Sequence, residues 1–199
     1  MTSVCSGQSN MERGFSAIVN HSEGKKLEDN IENFNKVRVL HIPNERSKTP
    51  LDNIPVTAFD GKNKKWIGAH EEGHMKVTGI GLAFGIKLYQ QYGVPIGLID
   101  SNKGGSMIEF WMHKEAMAKS GRVLGISWYN SMLYSLHNFP IKGAIWYQGE
   151  SNTKSVEVAT VYAKQFQEMI KDWRARWGLG TFPSSSFNWL LMKGKTNPI

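Results

Sequence analysis

The sequence predicts an α/β domain with a doubly wound parallel sheet, on three observations. Strand-like apolar runs alternate with helix-like stretches. Polar segments rich in Gly, Ser and Asn fall directly after strand-like runs. The composition is that of a folded globular protein: of 199 residues, 40% are apolar and 11% aromatic, enough for one domain with its own core. Strands separated by helices imply right-handed crossovers and parallel neighbours.

The elements follow in order. Thr2-Ser3-Val4-Cys5 is a first short strand, and Val37-Arg38-Val39-Leu40-His41-Ile42 a second. Residues 43–73, rich in Pro, Asn, Lys and Gly, read as a long irregular excursion. A helix runs from about Thr78 to Tyr92; Gly81 and Gly85 weaken its intrinsic helicity but allow close backbone approach to a neighbour. Val94-Pro95-Ile96-Gly97-Leu98-Ile99 is a third strand. Leu124, Trp128, Met132 and Leu136 recur at helical spacing, and Ile141 to Tyr147 forms a fourth strand. The clearest helix is 155–177, where Val158, Tyr162, Phe166, Met169, Ile170, Trp173 and Trp177 keep a spacing of three and four and Gly178 ends the run. Its aromatics read as core rather than as a binding groove.

Charge and cysteine usage narrow the function classes. The net charge is +7, but the basic residues are scattered, with clusters only at Lys62-Asn63-Lys64-Lys65 and around Arg174 to Arg176. That pattern is a solvated basic face, and no nucleic-acid partner is expected. A single cysteine excludes an internal disulfide framework and leaves the compartment open. The apolar runs are far shorter than the roughly 20 residues that span a bilayer. Residues 1–20 lack the charged start and apolar block of a signal peptide. No membrane partner is expected.

Three polar segments stand at predicted strand ends: Ser6-Gly7-Gln8-Ser9-Asn10-Met11, Asp100-Ser101-Asn102-Lys103-Gly104-Gly105-Ser106 and Gln148-Gly149-Glu150-Ser151-Asn152. In an open parallel sheet the carboxyl ends share one edge, so segments far apart in sequence converge on one pocket. They carry what acyl transfer needs: a hydroxyl to attack, and glycine N–H groups and a side-chain amide to hold an oxyanion. One such loop alone would read as an ordinary turn; three in register read as a site.

The segments GQSNM, VPIGLIDSNKGGSMIEFWM, WYNSML, FPIKGAIWYQGESN and YAKQFQEMIKDWRARWG occur in this order between residue 3 and about 183. Together they resemble the sialate O-acetylesterases and related acetylxylan esterases of the SGNH-hydrolase superfamily. The resemblance implies a flavodoxin-like three-layer fold, with residues 1–199 as one domain and 43–73 an insertion within it. It also implies hydrolysis of acetyl esters on sugars through an acyl-serine. By position, Ser9 matches the nucleophile and its N–H the first oxyanion donor. Gly105 matches the glycine whose N–H is the second donor, and Gln148 the residue whose amide completes the hole. Glu150 matches a carboxylate that orients the histidine. Gln8, Gly104, Asn152 and His113 are pocket candidates. The implied partner is an acetylated sugar or glycan, with no cofactor and no metal; members of the family are often secreted, periplasmic or lysosomal.

The family's base comes from an Asp-x-x-His motif after one further strand. None of His21, His41, His70, His74, His113 and His137 has an aspartate three positions earlier, so the fold is expected to be incomplete and the activity impaired. The tail explains this if it is frame-shifted. Phe182-Pro183-Ser184-Ser185-Ser186-Phe187-Asn188-Trp189 is a poor buried strand. With TCN serine codons, restoring one nucleotide after the proline codon yields four apolar residues, then Gln, Leu and a small apolar residue. Two rivals stand beside the esterase reading. His70-Glu71-Glu72-Gly73-His74 fits the zinc pattern H-E-x-x-H, but Gly68 and Gly73 argue against the helix that pattern needs. A non-catalytic remnant would instead bind a glycan on Trp111, Trp146 and Tyr147, although Trp146, set in a strand, reads first as buried packing.

Overall fold

The computed structural model describes residues 1–53, 66–153 and 155–178. Its sheet is ordered around β1 (Thr2–Gly7), which pairs in parallel with β4 (Ile96–Asp100) on one side and β5 (Gly143–Tyr147) on the other. β2 (Val37–His41) pairs in parallel with the far side of β4, and β3 (Ile67–Gly68) adds an antiparallel edge. The order is β3-β2-β4-β1-β5.

The predicted strands are all present, with shifted ends. Val94 and Pro95 stay outside β4, since proline has no N–H to give the ladder. β1 runs on through Ser6 and Gly7. The sheet is not wholly parallel: the predicted excursion 43–73 contains β3, whose Ile67 pairs with Val39.

Side chains alternate between two faces, which makes three layers. Cys5, Val39, Leu98 and Ile145 pack with Leu82 and Ile86 of α3 (Gly79–Tyr92) and Leu27 of α2 (Ser22–Glu28). On the other face Val4, Ile99 and Trp146 pack with Met117 of α4 (Lys114–Ser120) and with Met169 and Trp173 of α5 (Val156–Arg176). The close approach expected of α3 occurs at Gly85, where a Cβ would stand 2.7 Å from Leu98 Cδ1. α5 starts at the Ser155 cap, and its Trp173 and the C-cap Trp177 are core, as their spacing predicts.

Residues 124–136 depart from the predicted helix. They form a π-helical turn, Tyr129–Leu133, followed by a 3₁₀ turn, Tyr134–Asn138. The excursion after β2 docks here and competes for the backbone: Ser47 and Ser127 exchange hydrogen bonds at 3.1 Å, and Leu51 N donates to Asn130 O at 2.9 Å. Met132, Leu133 and Leu136 are nevertheless buried, so the apolar spacing reported burial rather than a regular helix. No helix among the described residues is long and apolar enough to cross a membrane. The Lys62–Lys65 cluster and the tail 182–189 lie outside the described residues.

Candidate active site

Parallel pairing brings the ends of β1, β4 and β5 to one edge. Two backbone bonds tie their loops: Gln8 N donates to Tyr147 O at 2.9 Å and Lys103 N to Gly7 O at 3.0 Å. Ser9 is exposed and opens the four-residue helix α1 (Ser9–Glu12), whose first amides have no acceptor within the helix. Its side chain abuts the second loop, since a Cβ on Gly104 would stand 3.6 Å from Ser9 Cβ. Lys103 to Ser106 form a turn closed by Ser106 N donating to Lys103 O at 3.3 Å. Gly105 in its centre is exposed at φ +72°, where a side chain would be strained. Ser9, Gly104 and Gly105 are thus brought together.

Gln148 is placed differently from the expectation. It is buried, and its Nε2 faces Asn152 Oδ1 at 2.7 Å, Ser106 O at 3.0 Å and Gln8 Oε1 at 3.2 Å. An amide nitrogen has two hydrogens, so none remains for an oxyanion. The neighbours fix this orientation: Gln8 Oε1 also accepts from Ser151 N at 3.1 Å, and Asn152 Oδ1 from Ile108 N at 2.9 Å. Gln148 is a strut between the loops, and its carbonyl is buried with no partner among the described residues. Gln8 and Asn152, expected to line a pocket, are buried members of the same network. Asn152 Nδ2 donates at 2.9 Å to Glu109, a fully buried carboxylate that Arg122 meets at 2.8 Å.

Glu150 is exposed and accepts from Asn10 Nδ2 at 2.7 Å, so it steadies the residue after Ser9, and no histidine meets it among the described residues. His113 is engaged elsewhere: it caps α4 and meets Arg176 at 2.6 Å, and it makes no hydrogen bond to the three loops among the described residues. Burial, then the Arg176 charge, lowers the His113 pKa. Among the described residues Ser9 Oγ has no hydrogen-bond partner. His41 carries a buried carboxylate on its ring, Nδ1 to Asp100 Oδ2 at 3.2 Å, but on β2, two strands from β1. The Cys5 thiol beside Asp100 is pushed well up by burial and then by that charge, which removes it as a nucleophile.

The zinc reading loses its geometry. His70 to His74 is a run of turns with Gly73 at φ +97°, not one helical face, and His74 is engaged by Glu71 O and Glu28. No group of three metal-ligating side chains occurs among the described residues. Of the three stacking candidates, Trp111 and Trp146 are fully buried and offer no surface to a glycan, while Tyr147 is half-buried.

Sequence reasoning missed Glu12, Glu109 and the His41–Asp100 pair. Glu12 had a signal, an acid one turn after the serine. Glu109 had another, a charge inside the apolar run Met107-Ile108-Glu109-Phe110-Trp111. The His41–Asp100 pair depends on strand register.

Comparison with known proteins adds the family. The profile of the carbohydrate esterases described as sialic acid-specific acetylesterase matches residues 2–188. Sialate O-acetylesterase of Mus musculus is 28% identical over 220 residues, covering 89% of this chain and 39% of that protein. The Homo sapiens protein of the same name is 29% identical over 197 residues, covering 89% and 36%. The chain therefore spans about two fifths of the length of the curated relatives it matches. A carbohydrate acetylesterase from Xanthomonas citri superposes with a TM-score of 0.77 at 32% identity, over 94% of this chain and 40% of that one. An Arabidopsis thaliana protein at 23% identity shares the fold, with a TM-score of 0.58 over 92% of this chain and 71% of that one.

Proposed function

Because the chain belongs to the sialic acid-specific acetylesterase family of carbohydrate esterases, we propose that it hydrolyses O-acetyl esters on sugars through an acyl-serine at Ser9. The observation that carries this reading is the exposed Ser9 packed against the Gly104-Gly105 turn at the meeting of three strand-end loops. Ser9 Oγ attacks the acetyl carbonyl, and the oxyanion that develops is met by the amides of Ser9 and Gly105. Collapse of the tetrahedral intermediate breaks the bond to the sugar oxygen, which leaves as the hydroxyl, and water then releases acetate from the acetyl-serine. The proton of Ser9 passes to a base and on to the sugar oxygen. Ser9 reactivity is the direct readout of this reading, since it needs only the nucleophile and its oxyanion donors.

The test is covalent labelling with a fluorophosphonate, followed by acetate release from an O-acetylated sialic acid. Ser9 is expected to carry the label, and Ser9→Ala to lose both labelling and acetate release, which fall by several orders of magnitude when a nucleophile is removed. Labelling that persists in Ser9→Ala refutes the mechanism.

A further inference from the structure

We propose that Glu12 is the positioning residue that holds the second oxyanion donor, the Gly105 N–H, against Ser9; the inference rests on the acyl-serine reading above. Glu12 lies one turn after Ser9 in α1 and reaches out of that helix to the loop after β4. Its Oε2 accepts from Gly104 N at 2.7 Å and its Oε1 from Lys103 Nζ at 2.9 Å, with Asn44 Nδ2 at 3.3 Å from the same oxygen. One carboxylate therefore binds the first corner and the first central amide of the turn that presents Gly105. The second central amide, that of Gly105, has no partner among the described residues.

The rest of the loop is held at its ends. Ser101 N donates to Cys5 O and Lys103 N to Gly7 O, both at 3.0 Å, and Ser106 Oγ donates to Lys103 O at 2.7 Å. Two consecutive glycines lie between these anchors, the pair with the most backbone freedom of any dipeptide. The turn's closing bond from Ser106 N to Lys103 O spans that pair, and Glu12 holds its first amide directly, from the helix that carries the nucleophile. Ser9 and the Gly105 donor consequently move as one body. The packing is tight: a Cβ on Gly104 would stand 2.5 Å from Glu12 Oε2. Preorganised donors matter because a displacement of about 1 Å costs up to roughly 100-fold in rate.

The experiment measures fluorophosphonate labelling of Ser9 in wild type, Glu12→Ala and Glu12→Gln, with the maximal rate and the half-saturating concentration determined separately. In Glu12→Ala the maximal rate is expected to fall roughly 10- to 100-fold, with half-saturation changed by less than about threefold. Glu12→Gln keeps an amide oxygen for the Gly104 N–H; its NH2 replaces the oxygen that accepts from Lys103 and Asn44, but both of those side chains reach solvent and can turn to water, so the rate is expected to recover to within about fivefold of wild type. Hydrogen exchange at the Gly104 amide is expected to accelerate in Glu12→Ala and not in Glu12→Gln, which separates loss of the clamp from general unfolding. A labelled wild type whose Glu12→Ala variant keeps its rate overturns this inference alone, as does a Glu12→Gln variant as slow as Glu12→Ala. A wild type that takes no label overturns the acyl-serine reading, and this inference with it.

Discussion

Gln148→Glu exchanges an amide NH2 for an oxygen at nearly constant volume, and the structure makes that one change severe. The nitrogen of Gln148 faces Asn152 Oδ1, Ser106 O and Gln8 Oε1 at 2.7, 3.0 and 3.2 Å. All three are acceptors, and Asn152 and Gln8 are held in that orientation by the amides of Ile108 and Ser151. An ionised carboxylate at this position would leave Ser106 O without its buried donor, about 1–3 kcal/mol, and would set a negative oxygen against three others. The folded protein therefore favours the protonated acid, and burial of this kind raises a carboxyl pKa by roughly 3 units or more. The sign follows: the folded state binds the proton more tightly than the unfolded chain. The variant is thus most stable below the unfolded value of about 4.3, and it loses stability as pH rises through the raised folded value. A shift of about 3 units makes the variant roughly 3 kcal/mol worse at pH 8 than at pH 5, beyond any slope of wild type. Urea unfolding followed by tryptophan fluorescence, with seven tryptophans as probes, measures this at both pH values. A loss below about 1 kcal/mol that is flat with pH would refute the reasoning. It would return the Gln148 amide to the pocket as an oxyanion donor.

Two further outcomes are expected. Gly7→Ala should prevent folding or cost more than about 4 kcal/mol, because Gly7 sits at φ +141° and its Cβ would fall 2.7 Å from Tyr147 C and 2.9 Å from Tyr147 N, atoms of the paired strand that cannot yield; an unchanged melting temperature would contradict the β1–β5 register. His137, half-buried against Tyr129 and Trp177, has its pKa lowered to about 4 by burial and then by Arg176 and His113. The unfolded chain then binds the extra proton between about pH 6.5 and 4, so stability falls as pH drops through that window. Screening at its open side limits the effect to about 1–2 kcal/mol. His137→Phe should flatten this part of the pH–stability curve; an unaltered slope would assign the titration to another group.

Much of the fold was legible because it depends on near neighbours in the chain. The spacing of Phe166, Met169, Trp173 and Trp177 specifies a helix and its buried stripe. Gly-rich polar stretches after apolar runs specify loops at strand ends, and parallel strands put Ser9, Gly104 and Gly105 on one edge. The same local logic failed at residues 124–136, where apolar spacing was right about burial and wrong about the ladder, because the segment around Ser47 and Leu51 bonds to that backbone. It failed again at Gln148 and Asn152, whose residue types suit a pocket and whose burial forbids it, while Trp146 is buried as its place in a strand implies. The side chains that meet at the site come from far apart: Glu12 reaches Gly104 across 92 positions, and Gln8 and Gln148 meet across 140. The order of residues determines which groups are available and which side of an element they occupy. Whether an amide nitrogen meets three acceptors or open solvent is set by strand order and loop register. Those are decided by the packing of the whole sheet, where a buried polar group must find its partner among whatever the fold brings within about 3 Å.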